Sequence, residues 1–302
     1  MPGVEILQHT LAGTAVFAGV GVHSGSHVRV AIRPAGIDSG IVFVRSDLPA
    51  PGNRIRVSPE AVVRTQLNTE IGAGPGVTVS TVEHLLAAFA ALSIDNAVVE
   101  LDGPELPIMD GSAAPFVKLL DQAGRRTQDA PRRYIEILET VVVEHGDKRA
   151  ALSPVSTARL GLELDFEIAF ASAAIGRQRI GLRIDESTFR RELAAARTFG
   201  FVHEVEALRA RGLARAGGLE NAIVVDGDRI LNPEGLRFSN EFVRHKALDA
   251  IGDLYVLGAP VIGRFEGRYA GHALNNALVR ALAASPGAWR LRTFATPLAE
   301  AV

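Results

Sequence analysis

At 302 residues the chain is long enough for two domains, each with a core of its own. Its composition is that of a folded globular protein, and a net charge of -2 with only three Tyr and one Trp argues against a nucleic-acid partner. Cysteine is absent, which excludes disulfides, thiolate metal sites and cysteine nucleophiles, so any metal must be held by carboxylates and the eight His.

The N-terminus lacks the basic start and apolar run of a signal peptide. No stretch approaches the roughly 18–20 uninterrupted apolar residues of a membrane span, so a cytoplasmic protein that does not cross a membrane is expected. Residues 14–45 alternate apolar runs with Gly and Pro turns and predict hairpin strands. A helix follows over 81–92 with Ser80 as its N-cap, then a strand over 96–101, a Pro-rich loop and a helix over 113–123. The polar, aperiodic stretch 124–133 reads as a linker. Strands are expected in 134–144, 149–155, 159–170 and 177–185, and helices in 187–196, 204–211, 239–257 and 273–284. Strands followed by helices in both halves predict an α+β fold of two similar layered domains, over 1–128 and 132–302, rather than a parallel βαβ sheet.

On the helix over 239–257, Val243, Ala247, Leu248, Ile251, Leu254 and Tyr255 form one apolar stripe, with His245, Lys246, Asp249 and Asp253 on the opposite side. That polar side is either a solvated face or a site. Asp249 and Asp253 are like charges at i,i+4, which is unfavourable unless a cation lies near, and His245 and Asp249 have the spacing to bind one metal together. On the helix over 81–92, His84 rises from a face of alanines, away from the stripe of Val82, Leu85, Leu86, Phe89 and Leu92, which suits a ligand in a packed cleft. Glu83 has two readings: the far member of a capping box begun by Ser80, or the base beside a metal ligand. His272 opens the last long helix, where the helix dipole opposes a proton and a carboxylate such as Asp253 would restore one. Thr198 is a turn residue or an oxyanion donor. The glycine clusters at 19–25 and 72–76 match no nucleotide fingerprint and read as turns, as does 110–112.

Seven stretches in order resemble the UDP-3-O-acyl-N-acetylglucosamine deacetylases of lipid A biosynthesis: GVGVHSG (19–25), STVEHLLAA (80–88), IMDGSAAPF (108–116), RTFGF (197–201), NAIVV (221–225), LRFSNEFVRHKALDAIGDL (236–254) and GHALNN (271–276). The resemblance implies zinc held by His84, His245 and Asp249 in a site between the domains; iron(II) also suits that ligand set. It implies hydrolysis of the acetamide of an acylated UDP-sugar, releasing acetate and a free amine, the committed step of lipid A biosynthesis. In that chemistry Glu83 takes a proton from water, Thr198 with the metal steadies the oxyanion, and His272, held by Asp253, stays cationic and assists by charge or by protonating the leaving amine, a proton that either Glu83 or His272 could deliver. Lys246 would meet the diphosphate and Phe170 the uracil. An insertion in the second domain, over 199–230 and including Phe199, Leu208, Leu213 and Ala216, would form a passage for the acyl chain. Glu204 stands where members often carry Asp, and Asn68 where some carry Cys. A monomer is expected.

Overall fold

A computed structural model describes residues 6–156 and 161–294. Alternating burial along Ala15–Val20, His27–Pro34 and Ala97–Leu101 produces strands with one face in the core. With Ile41–Arg45 and Arg54–Arg56 they form a five-stranded sheet, antiparallel except where Ile41–Arg45 runs parallel to Ala97–Leu101. Helices α1 (Glu83–Ala91) and α2 (Ala114–Ala123) accompany it. The second half repeats the scheme with a seven-stranded sheet. Two short helices follow in the chain, α3 (Glu186–Thr188), continued by a π-helical turn over Phe189–Leu193, and α4 (Val202–Ala210). The long α5 (Glu241–Tyr255) and α6 (His272–Ala283) then pack with the second sheet. The protein is therefore α+β, with a sheet and its helices in each half, as its sequence suggests. No helix among the described residues is long and apolar enough to cross a membrane.

Three expectations are corrected. Residues 124–133 are no linker: Arg125–Pro131 is a strand paired antiparallel with Leu7–Leu11. The strand Arg125–Pro131 is polar and mostly exposed, so it lacks an apolar period; its one fully inward side chain, Gln128, bonds Asn96 and the Ala35 carbonyl instead. Nor does Ser80 cap α1. Thr81 adopts φ 59, the chain turns away, Ser80 bonds the Pro104 carbonyl, and Val82 precedes the helix with no side-chain cap. The helix over 187–196 reduces to α3 and its π turn.

The central strand of the second sheet, Val261–Arg268, pairs with strands on both of its sides, yet it lacks a clear sequence signal. Glycines interrupt its apolar face because neighbours need the room: a Cβ at Gly263 would lie 2.7 Å from Ile137 and one at Gly267 2.7 Å from Phe166. The outer hairpin of that sheet, Leu162–Ala169 with Arg177–Ile184, carries Arg177–Glu167 and Arg179–Asp165 ion pairs on its solvent side.

The two halves meet where α1 crosses α5. All of α1 except Ala90 is buried, and α5 is buried on almost every side, including its polar one. At the crossing Gly252 lies directly on the backbone carbonyl of Glu83, leaving no space for a side chain. Gly252→Ala is therefore expected to force the helices apart, at a cost of about 1–3 kcal/mol as for other overpacked core sites. A lower melting temperature together with weaker divalent-metal retention would report it.

Candidate metal centre

The α1–α5 crossing brings together His84, from the first turn of α1, with His245 and Asp249, one turn apart on α5. All three are buried, at 3%, 1% and 2% exposure, so the polar side of α5 is no solvated face. His84 Nε2 and His245 Nε2 lie 3.5 and 3.3 Å from Asp249 Oδ1, and one ligand atom from each residue falls within 4.8 Å of the others. The imidazoles meet edge to face.

This triangle fits a divalent metal. His245 Nδ1 donates to the Ala196 carbonyl at 3.1 Å, which fixes the tautomer and turns the Nε2 lone pair toward Asp249. Burial pushes His245 down to about 3, so no proton fills that gap. Asp249 Oδ1 is left buried without a hydrogen-bond partner among the described residues. An orphaned carboxylate oxygen faced by an imidazole lone pair suits a cation, and three such residues would leave one position around it open. Burial alone would raise Asp249, but the Lys246 ammonium on its Oδ2 and the His272 cation outweigh it and hold the carboxyl well below its ordinary value.

Around the triangle stand further buried titratable side chains. Glu83 is buried and accepts the Thr69 backbone N–H at 3.0 Å rather than reaching back to a helix cap. Burial is the main cause that raises its pKa, opposed by His272 and His84. His272 opens α6 and places Nδ1 2.9 Å from Asp253 Oδ2. Asp253 also accepts the Thr69 hydroxyl at 2.6 Å and the Asn275 amide at 2.9 Å. Burial would lower His272, but Asp253, with Asp249 and Glu83, prevails and raises it to about 9.

A cavity of about 320 Å³ opens over the triangle. Glu83, His84, Thr198, Phe170, Phe199, His245, Lys246, Asp249 and His272 line it, while Asp253 stands behind His272. Thr198 is held by backbone bonds to Gly111 and Ile223, and position 111 takes glycine both for its φ of 84 and because a side chain there would collide with the Asn221 carbonyl. Lys246 Nζ is bound to Asp249 Oδ2 at 2.7 Å and lies 5.8 Å from the Phe199 ring centre. Phe170 packs edge-on against Phe199 at 5.5 Å and near Phe201 at 5.7 Å. Of the residues named for the passage, Phe199 and Leu208 line the cavity; Leu213 and Ala216 do not, and Ala214, Gly217 and Gly218 do. Glu204 also lines it, and the Asn68 amide is buried with no hydrogen-bond partner among the described residues.

Sequence reasoning missed His23, Glu105 and Thr69. His23 lines the cavity from the loop read as a turn, where Glu105 accepts the N–H groups of His23 and Ser24. A His in a glycine-framed loop was the available signal. For Thr69 there was none.

Residues 8–284 match the family described as UDP-3-O-acyl N-acetylglycosamine deacetylase. Three proteins named UDP-3-O-acyl-N-acetylglucosamine deacetylase are similar throughout. The one from Phenylobacterium zucineum is 68% identical over 98% of this chain and 100% of its own. Those from Acidithiobacillus ferrooxidans and Shewanella oneidensis are 50% and 47% identical, each over 96% of this chain and 94% of its own.

Replacing His84, His245 or Asp249 by Ala is expected to drop bound divalent metal from about one equivalent per chain to a small fraction of one. Elemental analysis of the purified, folded variants measures it, and an unchanged content in any of the three would remove that residue from the ligand set.

Proposed function

The chain belongs to the UDP-3-O-acyl N-acetylglycosamine deacetylase family, metal-dependent amide hydrolases of the lipid A pathway, and on that premise we propose that His84, His245 and Asp249 hold zinc for hydrolysis of the acetamide of UDP-3-O-(3-hydroxyacyl)-N-acetylglucosamine. The observation that carries this assignment is the orphaned Asp249 oxygen between two imidazoles, with Glu83 beside them. Water adds to the acetyl carbon, the carbon–nitrogen bond breaks, and the nitrogen keeps the electron pair and gains a proton. Zinc, when bound, supplies a Lewis acid that polarises the carbonyl and lowers the pKa of water to about 7. Iron(II) is the alternative that metal analysis would distinguish.

Glu83 takes the proton of the attacking water. Its burial keeps the carboxylate basic enough for that task, and the Thr69 N–H holds its second oxygen still. The Thr198 hydroxyl serves the developing oxyanion. His272 engages Asp253 through Nδ1 and so keeps Nε2–H for the reacting group as a cation. Lys246 meets the diphosphate; its raised pKa, caused by Asp249 overriding burial, keeps it charged. Phe170 stacks the uracil, and Phe199 begins an acyl passage continued by Phe201, Val205 and Leu208. The proposal carries a domain division at 1–128 and 132–302. Pairing of Tyr134–Ile137 into the second sheet, and of Arg125–Pro131 with Leu7–Leu11, supports a boundary between them.

The decisive assay follows acetate release from UDP-3-O-acyl-N-acetylglucosamine and from UDP-N-acetylglucosamine, with wild type and Glu83→Gln. Wild type should prefer the acylated substrate, and Glu83→Gln should lose about 10²–10⁴ in kcat with its metal retained. Equal turnover of both substrates would remove the acyl passage, and an active Glu83→Gln would remove the base.

The pH profile tests the His272 assignment. Because the Asp253 charge favours the imidazolium, activity should fall as pH rises through about 9 and His272 deprotonates. Neutralising that charge with Asp253→Asn should move this alkaline limb to lower pH in kcat/KM.

A further inference from the structure

Thr69 lies between residues 68 and 70 at the start of the strand Glu70–Gly74, with 2% of its surface exposed. Each of its polar groups is committed. The backbone N–H donates to Glu83 Oε2 at 3.0 Å, and the carbonyl accepts the Val82 N–H at 3.3 Å, at the entry to α1. The hydroxyl donates to Asp253 Oδ1 at 2.6 Å and stands 3.4 Å from His272 Nδ1. One residue thus touches both proton carriers, one on each side of the crossing between the halves. Nothing else among the described residues donates to the Glu83 carboxylate.

We propose that Thr69 is a positioning residue for the deacetylation: it fixes the distance between the Glu83 carboxylate and the Asp253–His272 pair through one backbone and one hydroxyl hydrogen bond. The inference rests on the roles given to Glu83 and His272 above. Its physical basis is that a catalytic carboxylate misplaced by an ångström loses much of its effect, and that groups orienting reactive side chains commonly matter about 10–100-fold. The bland alternative is a buried threonine that merely satisfies its neighbours. The two differ in what a hydroxyl-free side chain of the same shape would do.

Thr69→Val keeps the volume and the backbone bond to Glu83 but deletes the hydroxyl; Thr69→Ala deletes it without filling the space; Thr69→Ser keeps it. Acetate release from UDP-3-O-acyl-N-acetylglucosamine is measured for all three as zinc-loaded full-length enzyme, with bound zinc and melting temperature in parallel. We expect kcat to fall about 10–100-fold in the Val and Ala variants at unchanged KM and zinc content, and to return to within a few-fold of wild type in the Ser variant. Val and Ala variants at wild-type kcat would overturn the proposal, as would a Ser variant as slow as Val. A loss confined to KM or to bound zinc, or a failure of both hydroxyl-free variants to fold, would assign Thr69 a structural role and overturn it too. Wild type that releases no acetate would refute the proposed function itself, whereas an active wild type beside an unimpaired Val variant refutes only the role of Thr69.

Discussion

The close crossing of α1 on α5 is the constraint on which the rest depends. Gly252 lets the helices approach until backbone touches backbone at Glu83. That approach sets the distance from His84, on one helix, to His245 and Asp249, on the other, and no loop intervenes to absorb an error. Sites built on packed helices are held more tightly than sites on loops, and here each half contributes one helix and its sheet as backing. The glycine loop with His23 and the Phe199–Phe201 strand border the cavity, the Gly111 turn holds Thr198 there, and the Phe199 ring meets His245 edge to face at 6.4 Å.

Burial sets the chemistry of this centre and also its cost. Glu83, Asp249 and Asp253 are carboxylates withdrawn from water, compensated by Lys246 and by the proton on His272. The Thr69 N–H and hydroxyl, the Asn275 amide and the Lys246 ammonium stabilise specific oxygens, while Asp249 Oδ1 receives none of them. A cation at that oxygen would satisfy a buried carboxylate oxygen that has no hydrogen-bond partner among the described residues, so metal affinity and folding stability are linked. A fold optimised for stability alone would not place so many ionisable groups in its core, and this cluster is where function outweighs stability.

Much of this was legible in the amino-acid order, for identifiable reasons. Helical periodicity exposed the polar side of α5, and like charges at i,i+4 marked Asp249 and Asp253 as a place where a cation belongs. The alanine face around His84 was visible because α5 must pack there. What local patterning does not encode is which helices meet: the pairing of His84 with His245 came from resemblance, not from periodicity. Ser80 and Glu83 had the spacing of a capping box, and tertiary structure overrode it through the Thr81 turn. Arg125–Pro131 carries no strand signal because a strand held by Gln128 and backbone bonds has no apolar stripe. Val261–Arg268 escaped because the glycines that let it sit at the centre of a sheet also erase its strand pattern.

The pairing of Leu7–Leu11 with Arg125–Pro131 also governs the order of events as the chain leaves the ribosome. The first strand is made early, yet its hydrogen-bonding partner emerges only after α2, so the N-terminal half cannot close its outermost ribbon until nearly the whole half has been synthesised. Domains complete themselves in the direction of translation, and long-range pairings are the slow ones. The seam between the halves comes later still, because α5 follows most of the second sheet. Until α5 arrives, the side of α1 that it covers lacks that partner, and the nascent chain must keep it from other chains while about half of its length is made.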